Sequence, residues 1–315
     1  MRFNRIFGID FKSAPIDIRE KYFLSRSHID EIYRAYNGSA TDFFILSTCD
    51  RTGIFVFDTE TDAAPILEVE SSDNRYFTSR YGADAGQYVF RLLLGMESHI
   101  YGEAEVRNQI KDALTTAYTY NALSKGRYTK FMQWIEKVER QVALLGISAF
   151  QTELYGRFLR RIMREYITDE VRSAAVLGTG YIAEKILDML SYTDVKTKIF
   201  SNKNERRALY LAVRFNSAYD KMENIYRAFA DFDMIFSATA APHRIIKASK
   251  LKSGSKRQIF IDFSFPRDID PSVNELDGKV VLQGSAFRGD FLSGSEHELL
   301  NKAYNKLRYR KREYV

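Results

Sequence analysis

Ala174-Ala175-Val176-Leu177-Gly178-Thr179-Gly180-Tyr181-Ile182-Ala183 is the stretch whose reading decides the fold. A short apolar run meets a glycine-rich turn, and a helical pattern opens directly after it. The spacing is Gly-x-Gly-x-x-Ala. In a dinucleotide-binding turn the first glycine makes the bend and the second lets the backbone approach a pyrophosphate. A small third residue lets the helix pack on its sheet. Gly178, Thr179, Gly180, Tyr181, Ile182 and Ala183 are therefore candidate cofactor-binding residues. A glycine turn in an unrelated α/β unit is the alternative reading of the same letters.

Downstream, further apolar runs of strand length recur at Lys198-Ile199-Phe200, Asp233-Met234-Ile235-Phe236, Gln258-Ile259-Phe260-Ile261 and Val280-Val281-Leu282. They alternate with helical stretches, which predicts a parallel, doubly wound sheet of the Rossmann, NAD(P)-binding type. The first of these runs ends Phe200-Ser201-Asn202-Lys203-Asn204. An NAD site usually places an acid near this strand end to accept from the ribose hydroxyls. None is present here. The hydroxyl, amide and cation of Ser201, Asn202 and Lys203 suit a 2′-phosphate, so NADPH is the expected cofactor. Arg206 and Arg207, just beyond, read equally well as a solvated helix start.

Upstream, the chain reads as mixed α/β. Arg5 to Asp10, Phe43 to Leu46 and Gly53 to Phe57 have strand character. Ser27 is a candidate cap for a helix running to Tyr36 and stopping at Asn37-Gly38. From about Ala85 to Ile147 apolar residues recur at helical spacing, with Phe131, Trp134, Ile135 and Val138 as a core stripe. A helix is also expected over Leu154 to Tyr166, and another from Glu296 onward.

Composition sets bounds on what the chain can be. Its 315 residues are 45% hydrophobic and 28% charged, an ordinary composition with enough chain for about two domains. No apolar run is long enough to span a bilayer, so no membrane association is expected. Residues 1–10 lack an apolar core of signal-peptide length, so nothing in them suggests secretion. One cysteine, Cys49, and four histidines, His28, His99, His243 and His297, show no metal-ligand spacing. No metal site is expected. The net charge of +6 is compatible with a polyanionic partner.

Cys49 sits in Ser47-Thr48-Cys49-Asp50-Arg51-Thr52, a polar loop between two strand runs. A lone cysteine is most often a small buried hydrophobe. The polar setting and the cation two residues on favour a nucleophilic thiolate instead. Thiolate attack on an activated acyl carbon gives a thioester. Hydride delivery to that thioester gives a thiohemiacetal, which collapses to an aldehyde. A nucleophilic cysteine with NADPH is thus a coherent reductase.

Together these motifs resemble the glutamyl-tRNA reductases, the family that starts tetrapyrrole synthesis from charged tRNA. Gly8-Ile9-Asp10-Phe11-Lys12-Ser13-Ala14-Pro15, followed by Ile18-Arg19-Glu20, is similar to the family's opening G-x-N-H-K-T-A-P…R-E. Leu46-Ser47-Thr48-Cys49-Asp50-Arg51-Thr52 resembles its L-S-T-C-N-R-T-E. Gly95-Met96-Glu97-Ser98 with Gly102-Glu103, then Gln109-Ile110-Lys111-Asp112-Ala113, resembles G-L-D-S…G-E…Q-V-K-x-A. Later, Ser237 to His243 and Ile261 to Pro271 are similar to S-T-x-A-P-H and D-x-A-V-P-R-D-I-D-P.

The resemblance implies roles. Cys49 is expected to attack the ester of glutamyl-tRNA, and NADPH to reduce the glutamyl thioester to glutamate-1-semialdehyde. Arg51 is expected to hold the glutamate carboxylate, with Thr48, Ser98, Glu103 and Gln109 lining the same pocket. Thr239 joins the expected cofactor residues. The implied partners are glutamyl-tRNA and the downstream aminomutase, and the implied location is cytoplasmic, where tRNA charging and NADPH are found. The implied organisation is an N-terminal α+β catalytic domain (1–147), an NADP-binding domain (148–284) and a remnant of a spine and dimerisation helix (285–315). A monomer or weak homodimer is expected, because the family carries a longer helical region there. The pocket also departs from the family pattern. Tyr88 stands where the family has histidine, Asp50 where it has asparagine, Gly53 where it has glutamate and Phe11 where it has histidine. These departures favour the alternative of a non-catalytic relative that binds tRNA, tetrapyrrole or a partner enzyme. His99, eleven positions after Tyr88, would lie on the same helix face if that helix ran on unbroken. A dehydrogenase acting on a small free acid is a third reading.

Overall fold

The apolar runs on either side of Cys49 pair with each other. The computed structural model describes residues 3–36, 42–57, 64–202, 204–251, 256–287 and 289–309. The chain divides into two compact units, residues 1–155 with 289–315 and residues 156–288.

The first unit begins with β1 (Arg5–Asp10), α1 (Ile16–Lys21) and α2 (Arg26–Ala35). β2 (Phe43–Ser47), β3 (Arg51–Val56) and β4 (Thr78–Tyr81) follow. Then come α3 (Gly82–Leu93), α4 (Glu105–Thr119) and α5 (Lys125–Leu144). The four strands form an antiparallel sheet in the order β2-β3-β1-β4. β3 is central and every one of its residues is buried. Gly8 pairs with Gly53 across β1 and β3, and a Cβ on Gly8 would come within 2.3 Å of the Thr52 carbonyl oxygen. Only glycine permits that approach.

Aromatic side chains fill the space between this sheet and α5. Phe44 stacks on Phe55 at 4.5 Å and Phe3 on Phe57 at 4.8 Å. Phe131 of α5 meets Phe44 and Phe3 edge-on, each at 5.7 Å. The helical stripe that contains Phe131, Ile135 and Val138 is thus core, as its spacing predicts.

α6 (Ile147–Tyr166) runs from the first unit into the second. There follow β5 (Ser173–Leu177), α7 (Tyr181–Leu190), β6 (Lys196–Phe200), α8 (Glu205–Arg214) and β7 (Ala218–Asp220). α9 (Ile225–Ala228), β8 (Met234–Ser237), β9 (Gln258–Asp262) and β10 (Lys279–Gln283) complete the unit. All six strands are parallel, ordered β10-β9-β8-β5-β6-β7. The chain therefore builds outward from β5 to β7, then crosses back to place β8 on the other side of β5. The fold is α/β: an N-terminal α+β unit followed by a Rossmann-type nucleotide-binding unit.

Two details differ from the sequence reading, the cap of α2 and two strands. α2 is capped by Ser25, which accepts from the His28 amide at 3.3 Å, and not by Ser27; its expected stop at Asn37-Gly38 lies outside the described residues. β4 and β7 went unpredicted, because β4 is largely exposed and polar and β7 has only three residues. The passage between units falls within α6, after residue 155. From residue 289 the chain belongs to the first unit. There α10 (Gly294–Tyr309) packs on α3 and α5, with Leu300 and Ala303 buried and Tyr304 5.6 Å from Phe90. No helix among the described residues is long and apolar enough to cross a membrane.

Phe131 is fully buried among four aromatic neighbours. Phe131→Ala should lower unfolding stability by about 3–5 kcal/mol. A denaturant titration followed by circular dichroism would measure it.

Candidate active site

Cys49 occupies the tip of the β2–β3 hairpin. Ser47 and Thr52 pair at the end of the ladder, and the Thr48 amide donates to the Arg51 carbonyl at 2.8 Å. The Thr48 hydroxyl accepts from the amides of Asp50 (3.2 Å) and Arg51 (3.3 Å), closing the turn from inside. Two outside contacts fix the tip further. The buried Arg19 guanidinium donates to the Cys49 carbonyl, and the Phe11 amide donates to the Asp50 carbonyl at 2.9 Å. Cys49 itself is exposed.

Arg51 is buried at 3% exposure. Its Nη1 donates to the Tyr88 hydroxyl at 3.1 Å and its Nη2 to the Glu97 carbonyl. Nε is buried and has no hydrogen-bond partner among the described residues. Arg51 also lines a small cavity together with Gly8, Asp10, Gly53, Thr78, Arg80 and Tyr88. Tyr88, at the position of the family's histidine, therefore orients Arg51. Burial pushes its phenol above the usual value, so it is no base at neutral pH.

The helix carrying Tyr88 does not run on to His99. α3 ends at Leu93, and Gly95 takes a positive φ of 74°. A Cβ there would lie 2.1 Å from the Glu103 carbonyl oxygen, so the turn needs glycine. The Gly95 carbonyl accepts from the amides of Ser98 (3.2 Å) and Gly102 (2.9 Å). This loop brings Ser98, His99 and Glu103 to the hairpin. The loop is held from behind by buried Arg107, which donates to the Leu93 carbonyl (2.9 Å) and to Gln151 Oε1 (2.8 Å). Gln151 in turn donates to the Gly102 carbonyl. The Glu97 carboxylate ties the loop to Lys12 and Arg91, each at 2.5 Å.

The electrostatics at the tip are dominated by Asp50. The His99 amide donates to its Oδ2 at 2.9 Å, and His99 Nδ1 lies on its Oδ1. Arg51 Nη2 is 3.7 Å from Oδ2. Burial raises this carboxyl, but the hydrogen bond and charge of His99, then Arg51, outweigh it and hold it well below the usual range. Cys49 Sγ is 3.7 Å from Oδ1. Protein packed around the sulfur pushes the thiol up, although the residue as a whole is exposed. Asp50 and Glu103 add to that, and Arg51 opposes it. Burial, then Asp50, pushes Glu103 up to about 8, while Ser98 and Arg51 pull it down. At neutral pH Glu103 is thus a proton donor.

Of the expected pocket residues, Thr48, Arg51, Ser98 and Glu103 gather around Cys49. Gln109 lies half-buried on α4, and no hydrogen bond joins it to the hairpin. The reading of the sequence passed over the buried cation of Arg19, whose only signal was its place in the opening motif.

In the second unit the fingerprint lies at the C-terminal end of β5, between the strands where the order reverses. Such crevices bind dinucleotides. Gly178 has φ 105°, and a Cβ on it would lie 2.4 Å from the Ala238 carbonyl oxygen. Gly180 faces open space and is the N-cap of α7, the helix end that favours an anion. Ala183 is fully buried against the sheet. Tyr181 is exposed, Thr179 and Ile182 half-buried. These residues fit a dinucleotide pyrophosphate.

The expected phosphate-reading residues are more mixed. Ser201 is buried and the exposed Asn202 accepts from the Met222 amide at 3.0 Å, while Lys203 lies outside the described residues. Arg207 pairs with Glu184 and is not free for a phosphate. The Thr239 hydroxyl donates to the fully buried Asp268 carboxylate at 2.8 Å, which also accepts from Ser237 and Ser264, each at 2.6 Å. Thr239 therefore shapes the loop beside Gly178.

The family model for the glutamyl-tRNAGlu reductase N-terminal domain matches residues 7–144, and that for shikimate / quinate 5-dehydrogenase matches residues 163–283. A glutamyl-tRNA reductase of Carboxydothermus hydrogenoformans is 28% identical over 287 residues, covering 86% of this chain and 64% of that protein. One of Desulfitobacterium hafniense is 26% identical over 305 residues, covering 90% and 68%. The chain thus spans about two thirds of the length of these relatives. Among solved structures, glutamyl-tRNA reductase from Methanopyrus kandleri aligns over 98% of this chain and 80% of its own, at 19% identity and TM-score 0.39. The model of the glutamyl-tRNA reductase N-terminal domain thus covers the unit that carries the cysteine hairpin, the dehydrogenase model covers the dinucleotide-binding unit, and over most of its length the chain is similar to glutamyl-tRNA reductases.

Proposed function

We propose that the protein reduces glutamyl-tRNA to glutamate-1-semialdehyde with NADPH, through a thioester on Cys49, as the first step of tetrapyrrole synthesis. The observation that carries this reading is the exposed Cys49 at a hairpin tip held rigid by Arg19, Thr48 and Arg51. Rigid placement of a nucleophile is what an acyl transfer requires.

The Cys49 sulfur attacks the ester carbonyl, and the tRNA leaves through its ribose oxygen. Arg51 supports recognition of the glutamate carboxylate through its unpartnered Nε. Glu103, protonated at neutral pH, donates to the substrate head, and Thr48 and Ser98 line the same pocket. Gly178, Thr179, Gly180, Tyr181, Ile182 and Ala183 hold the dinucleotide pyrophosphate, and Ser201 and Lys203 select the 2′-phosphate, beside an Asn202 that holds the Met222 amide. Reduced nicotinamide supplies a hydride when bound. The aldehyde product is reactive, which favours hand-over to the downstream aminomutase. Dependence on charged tRNA and NADPH points to the cytoplasm. A monomer or weak dimer is the proposed state.

The decisive experiment is a single-turnover assay with glutamyl-tRNA and NADPH, with Cys49→Ser alongside. Wild-type protein should form the semialdehyde and the variant none. Absence of product despite binding of both ligands would favour a non-catalytic relative, a reading that the raised Cys49 thiol also supports.

Gly178→Ala should weaken NADPH binding at least tenfold, because the new Cβ enters the Ala238 carbonyl. Fluorescence titration would show it. Glutamyl-tRNA binding should weaken as pH rises through about 8, where Glu103 loses its proton. Glu103→Gln, which cannot ionise, should abolish that pH dependence in a filter-binding assay.

A further inference from the structure

In the second unit, α6 presents a face that neither the cysteine pocket nor the dinucleotide crevice uses. Arg157, Arg160, Arg161 and Arg164 fall at i, i+3, i+4 and i+7, which sets them within about 100° of the helix circumference. The opposite face is core. Leu159 and Ile162 are fully buried, Phe158 meets Phe263 edge-on at 6.0 Å, and Tyr166 meets Phe287 at 5.6 Å. That packing fixes which side of the helix the arginines occupy. Arg160, Arg161 and Arg164 are exposed. Arg157 is engaged within the protein, but no hydrogen bond or ion pair holds the other three among the described residues. By contrast, Arg207 and Arg214 of α8 share Glu184, and Arg244 pairs with Asp270. The carboxylate beside the stripe, Glu165, hydrogen-bonds to Tyr166 instead.

Arg160 and Arg161 each lie about one turn from Arg164. Like charges at that spacing destabilise a helix. The stripe therefore lends the fold no stability of its own, and an anion laid along it relieves the repulsion. A guanidinium can hold a phosphate through two parallel hydrogen bonds. Three in a row on an open helix face suit a chain of phosphates better than one small enclosed anion. We propose that the face of α6 carrying Arg160, Arg161 and Arg164 is a docking surface for the sugar–phosphate backbone of the tRNA. The proposal rests on the reductase reading, which supplies the tRNA, and it gives that tRNA a contact outside the Cys49 pocket. A phosphate contact positions the nucleic acid and reads no base. Neutralising phosphates releases counterions, so this part of the affinity falls steeply with salt.

The test uses unacylated tRNA, which carries no glutamyl group and so leaves the Cys49 pocket out of the measurement. Filter binding gives its dissociation constant at a series of salt concentrations. Three full-chain variants stand beside wild type. One is Arg160→Gln/Arg161→Gln/Arg164→Gln, and the second changes the same three positions to Lys. The third, Lys125→Gln/Lys130→Gln/Arg140→Gln, removes as much charge from exposed positions on α5. The Gln variant on α6 should bind tRNA about tenfold more weakly, or worse, and its slope of log affinity against log salt should be shallower by about 2 to 3. Its affinity for NADPH, read by fluorescence titration, should be unchanged. The Lys variant keeps the charge, so it should keep the wild-type slope and recover most of the affinity. The α5 variant should stay within about threefold of wild type, because exposed charges away from the contact are screened. An unaltered affinity and slope in the α6 Gln variant would overturn the proposal. So would a Lys variant as weak as the Gln variant, or an α5 variant that loses as much. Wild-type protein that binds tRNA through this face yet makes no semialdehyde from glutamyl-tRNA would overturn the reductase reading and support the docking surface. Wild-type protein with no affinity for tRNA would overturn both.

Discussion

The buried guanidinium of Arg51 is the tie on which the site depends. It begins the central strand of the first sheet, and it reaches both Tyr88 on α3 and the Glu97 carbonyl in the following loop. Three separate stretches of chain therefore converge on one cation. A buried cation is costly unless its donors are satisfied or an anion lies near. Tyr88, Glu97 and Asp50 meet most of that need, and Nε is left without a partner among the described residues. The rigidity that sets the Cys49 sulfur at the hairpin tip follows from this tie and from Arg19 beneath it.

Loop chemistry does the rest. The positive φ at Gly95 and Gly102 lets the chain between α3 and α4 fold back on itself. Arg107 and Gln151 fasten that loop to the start of α6. The result is a small cluster of ionisable groups around a sulfur: the Asp50 carboxylate against the Arg51 cation, a protonated Glu103, and His99 on the Asp50 carboxylate. In the second unit the same economy recurs. The fully buried Asp268 gathers Ser237, Thr239 and Ser264 behind the loop that crowds Gly178.

The fold was legible where periodicity was strong. The fingerprint at Gly178, the parallel strands after it and the apolar hairpin around Cys49 all carried clear patterns. β7 and β4 did not, because short or exposed edge strands bury too little to show alternation. Cys49 and its neighbours on the hairpin were legible because they are adjacent in sequence. The pairing of Asp50 with His99 was not. It depends on a glycine turn that ends α3, whereas a continuous helix would have set His99 under Tyr88. The inward turn of Arg51 was equally hidden, since sequence gives the residue but not the partners that bury it. Thr239 and Asn202 show the same limit: both are polar and were expected at a cofactor, and both hydrogen-bond to the protein.

The central claim is that Cys49 becomes covalently acylated by the glutamyl group. Intact-protein mass spectrometry after incubation with glutamyl-tRNA, in the absence of NADPH, tests it most directly. The account predicts an added mass of one glutamyl group, mapped to the peptide containing Cys49 and discharged by NADPH. A protein that binds glutamyl-tRNA without gaining that mass, or that gains it at another residue, would contradict it.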